Sequence, residues 1–340
     1  MAYSINAKDY FNTTLYTGNA STQSTTGFGF QPDLVWNKGR DTAESWCAWD
    51  VIRGVTERVI IDANTAPSTV ATGLTSFNSD GWTTGSLSAM NESNKLFVSY
   101  NWKGGGTGVS NTNGSTTTTV SSSVSSGCSI VKYTGTGSVA TLGHGLSTSP
   151  TSIIIRRLNV SDWVVGSNGL PSWNYVLNLN TVSNAADQVN QFNGVTPGTS
   201  TFTLGTEGQT NQSGIDYIAY CFSDITGFSQ SGSYTGNGNI NGVFVYTGFK
   251  PAFVLIKRSD SAGDQWQLND SKRGFNGAIK TLYTDSSEVE TSSDPIDLLS
   301  NGFKNRATSS ARNGSGVAYY YLAFAEAPLV GTNNVPATAR

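Results

Sequence analysis

Residues 234–258 read YTGNGNINGVFVYTGFKPAFVLIKR, and this stretch decides the fold because its landmarks recur twice earlier in the chain. Tyr-Thr-Gly followed by Asn or Thr occurs three times, and a proline stands 16 or 17 residues after the tyrosine of each of these copies. Six residues past each proline stands a cation, and the apolar run between them is typical of a buried strand entered through a proline turn. In chain order, the tyrosine, proline and cation are Tyr16, Pro32 and Lys38; Tyr133, Pro150 and Arg156; and Tyr234, Pro251 and Lys257.

The same register continues to a tryptophan 13 to 15 residues beyond each proline. In the first and third copies an aspartate follows four residues later, and an Arg-Gly pair begins three residues after that. These landmarks are Trp46, Asp50 and Arg53; Trp163 alone; and Trp266, Asp270 and Arg273. Each copy closes on an aromatic strand, KLFVSYNW, DYIAYCF or AYYYLAF. Agreement at so many ordered positions predicts three diverged repeats of about 100 residues each.

The landmarks divide the chain into three repeats and one connecting segment. Repeat 1 covers residues 1–103, repeat 2 covers 128–226, and repeat 3 covers 227–340 with an extended tail from Pro328. The connecting segment, residues 104–127, contains no charged and no aromatic residue, which predicts a flexible linker. Because repeats 2 and 3 have no such spacer, we expect them to pack closely and repeat 1 to be more independent.

Composition and patterning predict an all-β fold. The chain has 38 glycines and only 13% charged residues, and good helix formers are scarce beside Ser, Thr and Asn. Short apolar runs alternate with turn residues, and no stretch has a 3.6-residue period. We therefore predict three tandem antiparallel β-sandwiches, of jelly-roll or concanavalin A-like type. Propeller blades, at about 40 to 50 residues, are shorter than these repeats.

Charge and hydropathy indicate which partners to exclude. The net charge is −3 and no run of Lys and Arg exceeds two residues, so the electrostatic footprint of a nucleic-acid binder is missing. No apolar stretch approaches the roughly 20 residues that span a bilayer, and the first residues do not resemble a signal peptide. We expect synthesis in a cytoplasm. The three cysteines, Cys47, Cys128 and Cys221, have no paired spacing, and we expect them to be buried apolar groups.

The Trp/Asp/Arg-Gly set has two interpretations. Trp46 and Trp266 could stack on a sugar while the aspartates bind its hydroxyl groups. Alternatively, the aspartate and arginine form an ion pair that holds a turn, and the tryptophan lies in the core. We favour the structural interpretation, because tryptophan is more often a core anchor than a platform. The ligand-binding residues are therefore left unassigned.

Catalytic groups are sparse. A glycosidase needs two carboxyl groups about 5 to 9 Å apart, whereas Asp50, Asp80, Asp270 and Asp294 stand singly beside turn residues. The only histidine, His144, lies between two glycines, which predicts a loop residue and rules out a histidine metal cluster. No nucleophile elbow or nucleotide-binding motif is present. We expect no enzymatic activity, no metal and no cofactor.

One resemblance covers most of the chain. The combination of YTGNG, GFKPAFVLIKR, the Trp/Asp/Arg-Gly set, LLSNGFK and YYYLAFAEAPLVGTNNVPATAR resembles repeat modules of tail-fibre-like virion proteins of marine bacteriophages, including cyanophages. The similarity is closest over 233–340, good over 16–103 and weakest over 128–222. It implies concanavalin A-like, lectin-type modules in a particle appendage. No catalytic residue is carried over by this resemblance.

Three functional hypotheses follow. The first is a bacteriophage tail fibre or tail appendage that attaches to a glycan or protein on the host surface. The second is a capsid decoration or head appendage protein with a purely structural role, and the third, least favoured, is a polysaccharide depolymerase. The expected location is the virion, the expected partners are other virion proteins and a host receptor, and the resemblance implies a homo-oligomer, with a trimer the usual form of fibres.

Overall fold

The computed structural model describes residues 6–274, 276–292 and 295–326. Over these ranges the chain is all-β, as predicted, and every pairing between its named strands is antiparallel. The expected tail from Pro328 and the candidate carboxylate Asp294 lie outside the described residues. Within the described ranges, no helix has the length and apolar character needed to cross a membrane.

Repeat 1 forms two sheets after a short 3-10 turn at Ala7–Asp9. The larger sheet has the strand order β1-β9-β3-β4-β5-β6, and the smaller has the order β2-β8-β7. The elements are β1 (Phe11–Thr17), β2 (Gln23–Thr26), β3 (Leu34–Gly39), β4 (Cys47–Asp50), β5 (Glu57–Ile60), β6 (Ser68–Thr69), β7 (Leu74–Asn78), β8 (Gly81–Thr84), α1 (Ser88–Asn91) and β9 (Leu96–Trp102).

Repeat 2 shares its larger sheet with the connecting segment. The order is β10-β11-β12-β19-β14-β15-β16-β17, and the smaller sheet is the pair β13-β18. The elements are β10 (Val109–Asn111), β11 (Thr118–Ser123), β12 (Cys128–Thr134), β13 (Ala140–Gly143), β14 (Ser152–Arg157), β15 (Trp163–Ser167), β16 (Tyr175–Asn178), β17 (Ala186–Asp187), β18 (Thr201–Leu204), α2 (Gly208–Asn211) and β19 (Asp216–Phe222).

Repeat 3 has a larger sheet of order β20-β27-β22-β23-β24 and a smaller one of order β21-β26-β25. All three larger sheets therefore share one strand order. The first strand of the repeat pairs with the closing strand, the closing strand pairs with the strand after the proline, and that strand pairs with the strand that begins at or just after the landmark tryptophan. The elements are β20 (Ser229–Thr235), β21 (Phe244–Tyr246), β22 (Pro251–Arg258), β23 (Gln267–Asp270), β24 (Thr281–Tyr283), β25 (Ile296–Leu299), β26 (Gly302–Asn305) and β27 (Ala318–Ala325).

The larger sheets are covered on both faces, as the apolar closing strands predict. In repeat 1, Val35 and Trp49 pack with Trp82 of the smaller sheet. The other face, which includes Trp36 and Tyr100, belongs to a core cluster with residues from repeats 2 and 3. Each larger sheet thus lies between its own smaller sheet and a core common to the whole chain.

The common core centres on the last aromatic residue of each closing strand. Trp102, Phe222 and Phe324 contact one another pairwise, with ring centroids 6.1 Å apart for Trp102–Phe222, 5.7 Å for Trp102–Phe324 and 5.3 Å for Phe222–Phe324. Three equivalent residues that all touch one another require the repeats to surround one axis. The expectation that repeat 1 is more independent is therefore wrong, because Trp102 of repeat 1 takes part in two of these three ring contacts.

The connecting segment is also more ordered than expected. Instead of a flexible linker, residues 104–127 contribute β10 and β11, and Thr119–Ser123 pairs with Cys128–Lys132 of β12. Its threonine, serine and valine residues suit a strand at a sheet edge, where no charge is required. A composition that is typical of a flexible linker here forms two additional strands.

Candidate functional site

Each landmark tryptophan lies buried at a junction between two repeats. The indole Nε1 of Trp46 donates a hydrogen bond to the carbonyl oxygen of Tyr283 in repeat 3, at 2.8 Å. Trp163 donates to Ile60 of repeat 1 and Trp266 to Asn178 of repeat 2, both at 2.9 Å. Every acceptor is the last residue of the fifth strand of its repeat. The contacts run from repeat 1 to 3, from 3 to 2 and from 2 to 1, which closes a ring.

The Asp/Arg pairs lie at the same junctions and bind a tyrosine from the neighbouring repeat. The Nε of Arg53 is 2.6 Å from Oδ2 of Asp50, and the hydroxyl of Tyr220 donates to the same oxygen at 2.9 Å. Asp50 also accepts the backbone N–H of Ile52 and Arg53, which fixes the turn that follows. The side chains of Arg53 and Asp50 are 3% and 0% exposed, so neither presents a face to solvent.

Repeat 3 has the same arrangement with repeat 1 as its neighbour. Nε of Arg273 is 2.5 Å from Oδ2 of Asp270, and the hydroxyl of Tyr100 donates to that oxygen at 2.6 Å. Burial raises the pKa of the Tyr100 hydroxyl well above its usual value. Burial lowers the pKa of the Arg273 guanidinium, but the charge and hydrogen bond of Asp270, together with contributions from Tyr100 and Glu290, outweigh burial and the net shift is upward. The tyrosine is therefore a neutral donor and the arginine a permanent cation.

Repeat 2 shows what happens when the ion pair is absent. Ser167 stands in place of the aspartate, and Leu170 in place of the arginine. The neighbouring tyrosine, Tyr320, hydrogen-bonds the hydroxyl of Ser152 at 2.7 Å. Ser167 Oγ still accepts the backbone N–H two residues later, from Gly169 at 3.1 Å. Both charges were lost together, so no buried charge is left without a partner.

Each repeat also has a side-chain acceptor for its tryptophan that was not predicted from the sequence. The backbone N–H of each landmark tryptophan donates to a side-chain oxygen of Asp62, Asn180 or Asp285, at 3.1, 2.9 and 3.3 Å. These acceptors follow their tryptophans by 16, 17 and 19 residues, so a search at fixed spacing misses them. The sequence feature that could have identified these acceptors is an Asp or Asn two residues after the end of the fifth strand of each repeat. Burial raises the pKa of Asp285 to about 7.

The other candidate residues have structural partners. Asp80 accepts the backbone N–H of Gly29 at 2.6 Å and of Gly27 at 3.0 Å, and these bonds lower its pKa. His144 lies in the loop after β13, as predicted, and is buried there: Nε2 is 3.1 Å from the carbonyl of Gly198, and Nδ1 accepts Leu146 N–H at 3.1 Å. The three cysteines are free and buried, as predicted.

One open pocket adjoins the junction between repeats 3 and 1. This seam pocket has a volume of about 450 Å³ and is lined by Lys8, Lys250, Pro251, Ala252, Ser271, Lys272 and Glu326. Lys272 Nζ is 3.0 Å from a carboxylate oxygen of Glu326. Burial raises the pKa of Glu326, while the hydrogen bond and charge of Lys272 lower it in part. Over the described ranges, neither Lys8 nor Lys250 forms an ion pair.

A family model matches residues 6–328, nearly the whole chain. The chain belongs to the DUF7483 family. That family is described as a domain of unknown function, and its single model extends over all three repeats and the connecting segment. A DUF7483 domain so defined corresponds to the closed ring and not to one repeat. No curated protein and no solved structure matches the chain.

Proposed function

We propose that this chain is a non-catalytic structural protein of a bacteriophage particle, a tail fibre or tail appendage that attaches to the host surface. In this proposal each repeat is a concanavalin A-like, jelly-roll sandwich. The landmark residues hold the repeats together, and the smaller sheets, outside the larger ones, meet the environment. The assignment to a phage particle rests on the resemblance of the repeats to tail-fibre-like virion proteins.

The observation that carries attachment is an exposed aromatic pair on repeat 3. Phe244 and Tyr246 point outward from β21 and are 42% and 63% exposed. In repeat 1, the residues at the same positions are Ser24 and Thr26 of β2, which pair with β8 in the register in which Phe244 and Tyr246 pair with β26. Exposed aromatic rings are costly to leave in water unless they meet a partner, and flat rings suit the apolar faces of sugars. The pair thus supports binding of a surface glycan.

Binding of the purified protein to host cells and to an array of bacterial surface glycans tests this proposal. We expect binding by the unaltered protein and at least a tenfold loss in F244S/Y246T, which installs the repeat 1 residues. Because both rings are exposed, the free energy of unfolding should change by less than about 1 kcal/mol. The control V124S/V160S removes two exposed valines elsewhere and should bind normally. Absence of binding by the unaltered protein, together with a location on the capsid, would contradict attachment.

The cyclic arrangement favours one alternative, a capsid decoration or head appendage protein. Three similar repeats around one axis would suit a threefold site of a capsid shell. Cryo-electron microscopy of the particle distinguishes the two proposals by location. A depolymerase has less support: the close carboxylates Asp260 and Asp264 both bind Arg258, at 2.7 and 3.1 Å. The pKa of Asp260 is lowered overall, whereas a glycosidase acid needs a raised one.

A further inference from the structure

The outward face of the smaller sheet differs among the three repeats. In repeat 1 the side chains of its middle row are Ser24, Thr83 and Ser76, which pair across β2, β8 and β7. In repeat 2 the corresponding pair is Thr141 and Thr203, on β13 and β18. All five are short hydroxyl side chains without charge, and Ser24 and Thr83 hydrogen-bond each other at 2.8 Å. Two of the three faces are therefore polar and neutral in this row.

Repeat 3 has different groups in the same row. Phe244, Lys304 and Asp297 pair across β21, β26 and β25, so an aromatic ring, an ammonium group and a carboxylate stand in line. The Asp297 carboxylate is 2.5 Å from Nε of Arg306, which balances its charge. Over the ranges that the structure describes, Lys304 forms no such pair. The face therefore has an uncompensated positive charge beside an exposed ring, in a chain whose net charge is −3.

Glycines leave room for two aromatic rings on this face. Tyr246 pairs with Gly302, and a side chain on that glycine would lie 2.9 Å from ring atoms Cε2 and Cζ of Phe244. The Phe244 ring therefore lies over the glycine backbone. A side chain on Gly248 would lie 3.6–3.8 Å from the phenol of Tyr246. Phe244 and Tyr246 are two residues apart on one strand, which places their Cα atoms about 7 Å apart and lets each ring contact a different unit of one sugar chain.

We propose that this face of repeat 3 binds a linear acidic oligosaccharide. Two neighbouring sugar rings stack on Phe244 and Tyr246, and a carboxylate on one of them pairs with the ammonium group of Lys304. The inference rests on the proposed attachment through the same aromatic pair, and it adds the class of glycan. Charge decides the class, because a hydrogen bond between an ammonium and a carboxylate is shorter and stronger than one between neutral groups.

Fluorescence anisotropy with the full chain tests the proposal. The probes are a labelled oligogalacturonate and its carboxyl-reduced form, which keeps the linkages and loses the charges. We expect the acidic probe to bind at least tenfold more tightly at low salt, with the difference shrinking as salt rises. K304T installs the residue of repeats 1 and 2, and should weaken binding of the acidic probe at least fivefold without changing that of the reduced probe. K95T removes the same charge from repeat 1 and should change either affinity less than twofold.

Three results would overturn the proposal. The first is equal binding of the two probes, which would leave attachment intact and assign the face to neutral glycans. The second is equal weakening by K304T and K95T, which would reduce the effect to net charge. The third is binding of neither probe by the unaltered chain, and attachment is then judged separately by the host-cell and glycan-array assays. Thermal unfolding checks that K304T keeps the fold, as expected for threonine in a strand.

Discussion

At the scale of single residues, the chain contains its own comparison of a buried ion pair with a neutral replacement. Repeats 1 and 3 keep Asp and Arg, whereas repeat 2 has Ser167 and Leu170. The sequence predicted the pair at a turn with buried tryptophans, and the structure places them so. It could not predict that Tyr220 and the tryptophans reach across to other repeats, because such contacts join residues 88 to 237 positions apart.

Converting the pair of repeat 1 into that of repeat 2 has a defined outcome. D50S alone leaves the Arg53 guanidinium buried without a carboxylate, and should lower the free energy of unfolding by about 3–5 kcal/mol. R53L alone leaves the buried Asp50 carboxylate without its arginine and should lower the free energy of unfolding by a similar amount. The double variant D50S/R53L should lose less than either single variant, as measured by urea unfolding. Additive losses would show that the two residues act independently.

Asp285 makes stability depend on pH. Burial raises the pKa of its carboxyl to about 7, so the folded chain binds this proton more tightly than the unfolded chain. Its contribution to the free energy of unfolding is therefore full below pH 4 and is lost as pH rises towards 7. D285N keeps an acceptor for Trp266 N–H, as Asn180 does for Trp163, and removes this loss.

We expect D285N and the unaltered chain to match at pH 4 and to differ by roughly 2 kcal/mol at pH 8, with D285N the more stable. This difference already includes the attraction between the Asp285 carboxylate and the buried Lys257, which partly offsets the effect of burial on the pKa of Asp285. Urea unfolding between pH 4 and pH 8 measures the difference. The exposed Asp187 provides the control D187N, whose profile should follow the unaltered chain. Parallel profiles for D285N would contradict the assignment.

At the scale of elements, the strands with fixed landmarks were predictable and the connecting segment was not. The apolar runs after each proline became β3, β14 and β22, because a strand covered on both faces has no polar side. Residues 104–127 look disordered by composition, yet β10 and β11 extend the sheet of repeat 2. What orders them is the unpaired edge of β12, and a sheet edge is a property of the assembled fold that no local pattern records.

At the scale of the whole molecule, three sequence repeats make one closed body. Three sandwiches in a row would need contacts only between neighbours in the chain, whereas here repeat 1 also meets repeat 3. The shared aromatic core at Trp102, Phe222 and Phe324 means that no repeat buries its inner face alone. Three similar repeats thus surround one axis within a single chain, and the junction between repeats 3 and 1 is the one without a covalent connection.

A contact between repeats 1 and 3 distinguishes the closed ring from a linear array of three sandwiches. The backbone N–H of Glu290 donates to the carbonyl of Arg40 at 2.8 Å, and their side chains form an ion pair at 2.9 Å. Two residues so placed lie within reach of a disulfide, which spans Cα atoms about 4.4–6.8 Å apart. The native cysteines are buried and should not compete.

The most direct test is therefore the oxidation of R40C/E290C, followed by non-reducing electrophoresis and peptide mapping. We predict an intramolecular disulfide between positions 40 and 290 in a monomeric chain, with no cross-link in the unaltered protein. Failure of the cross-link to form, or its formation only between two chains, would contradict the closed ring.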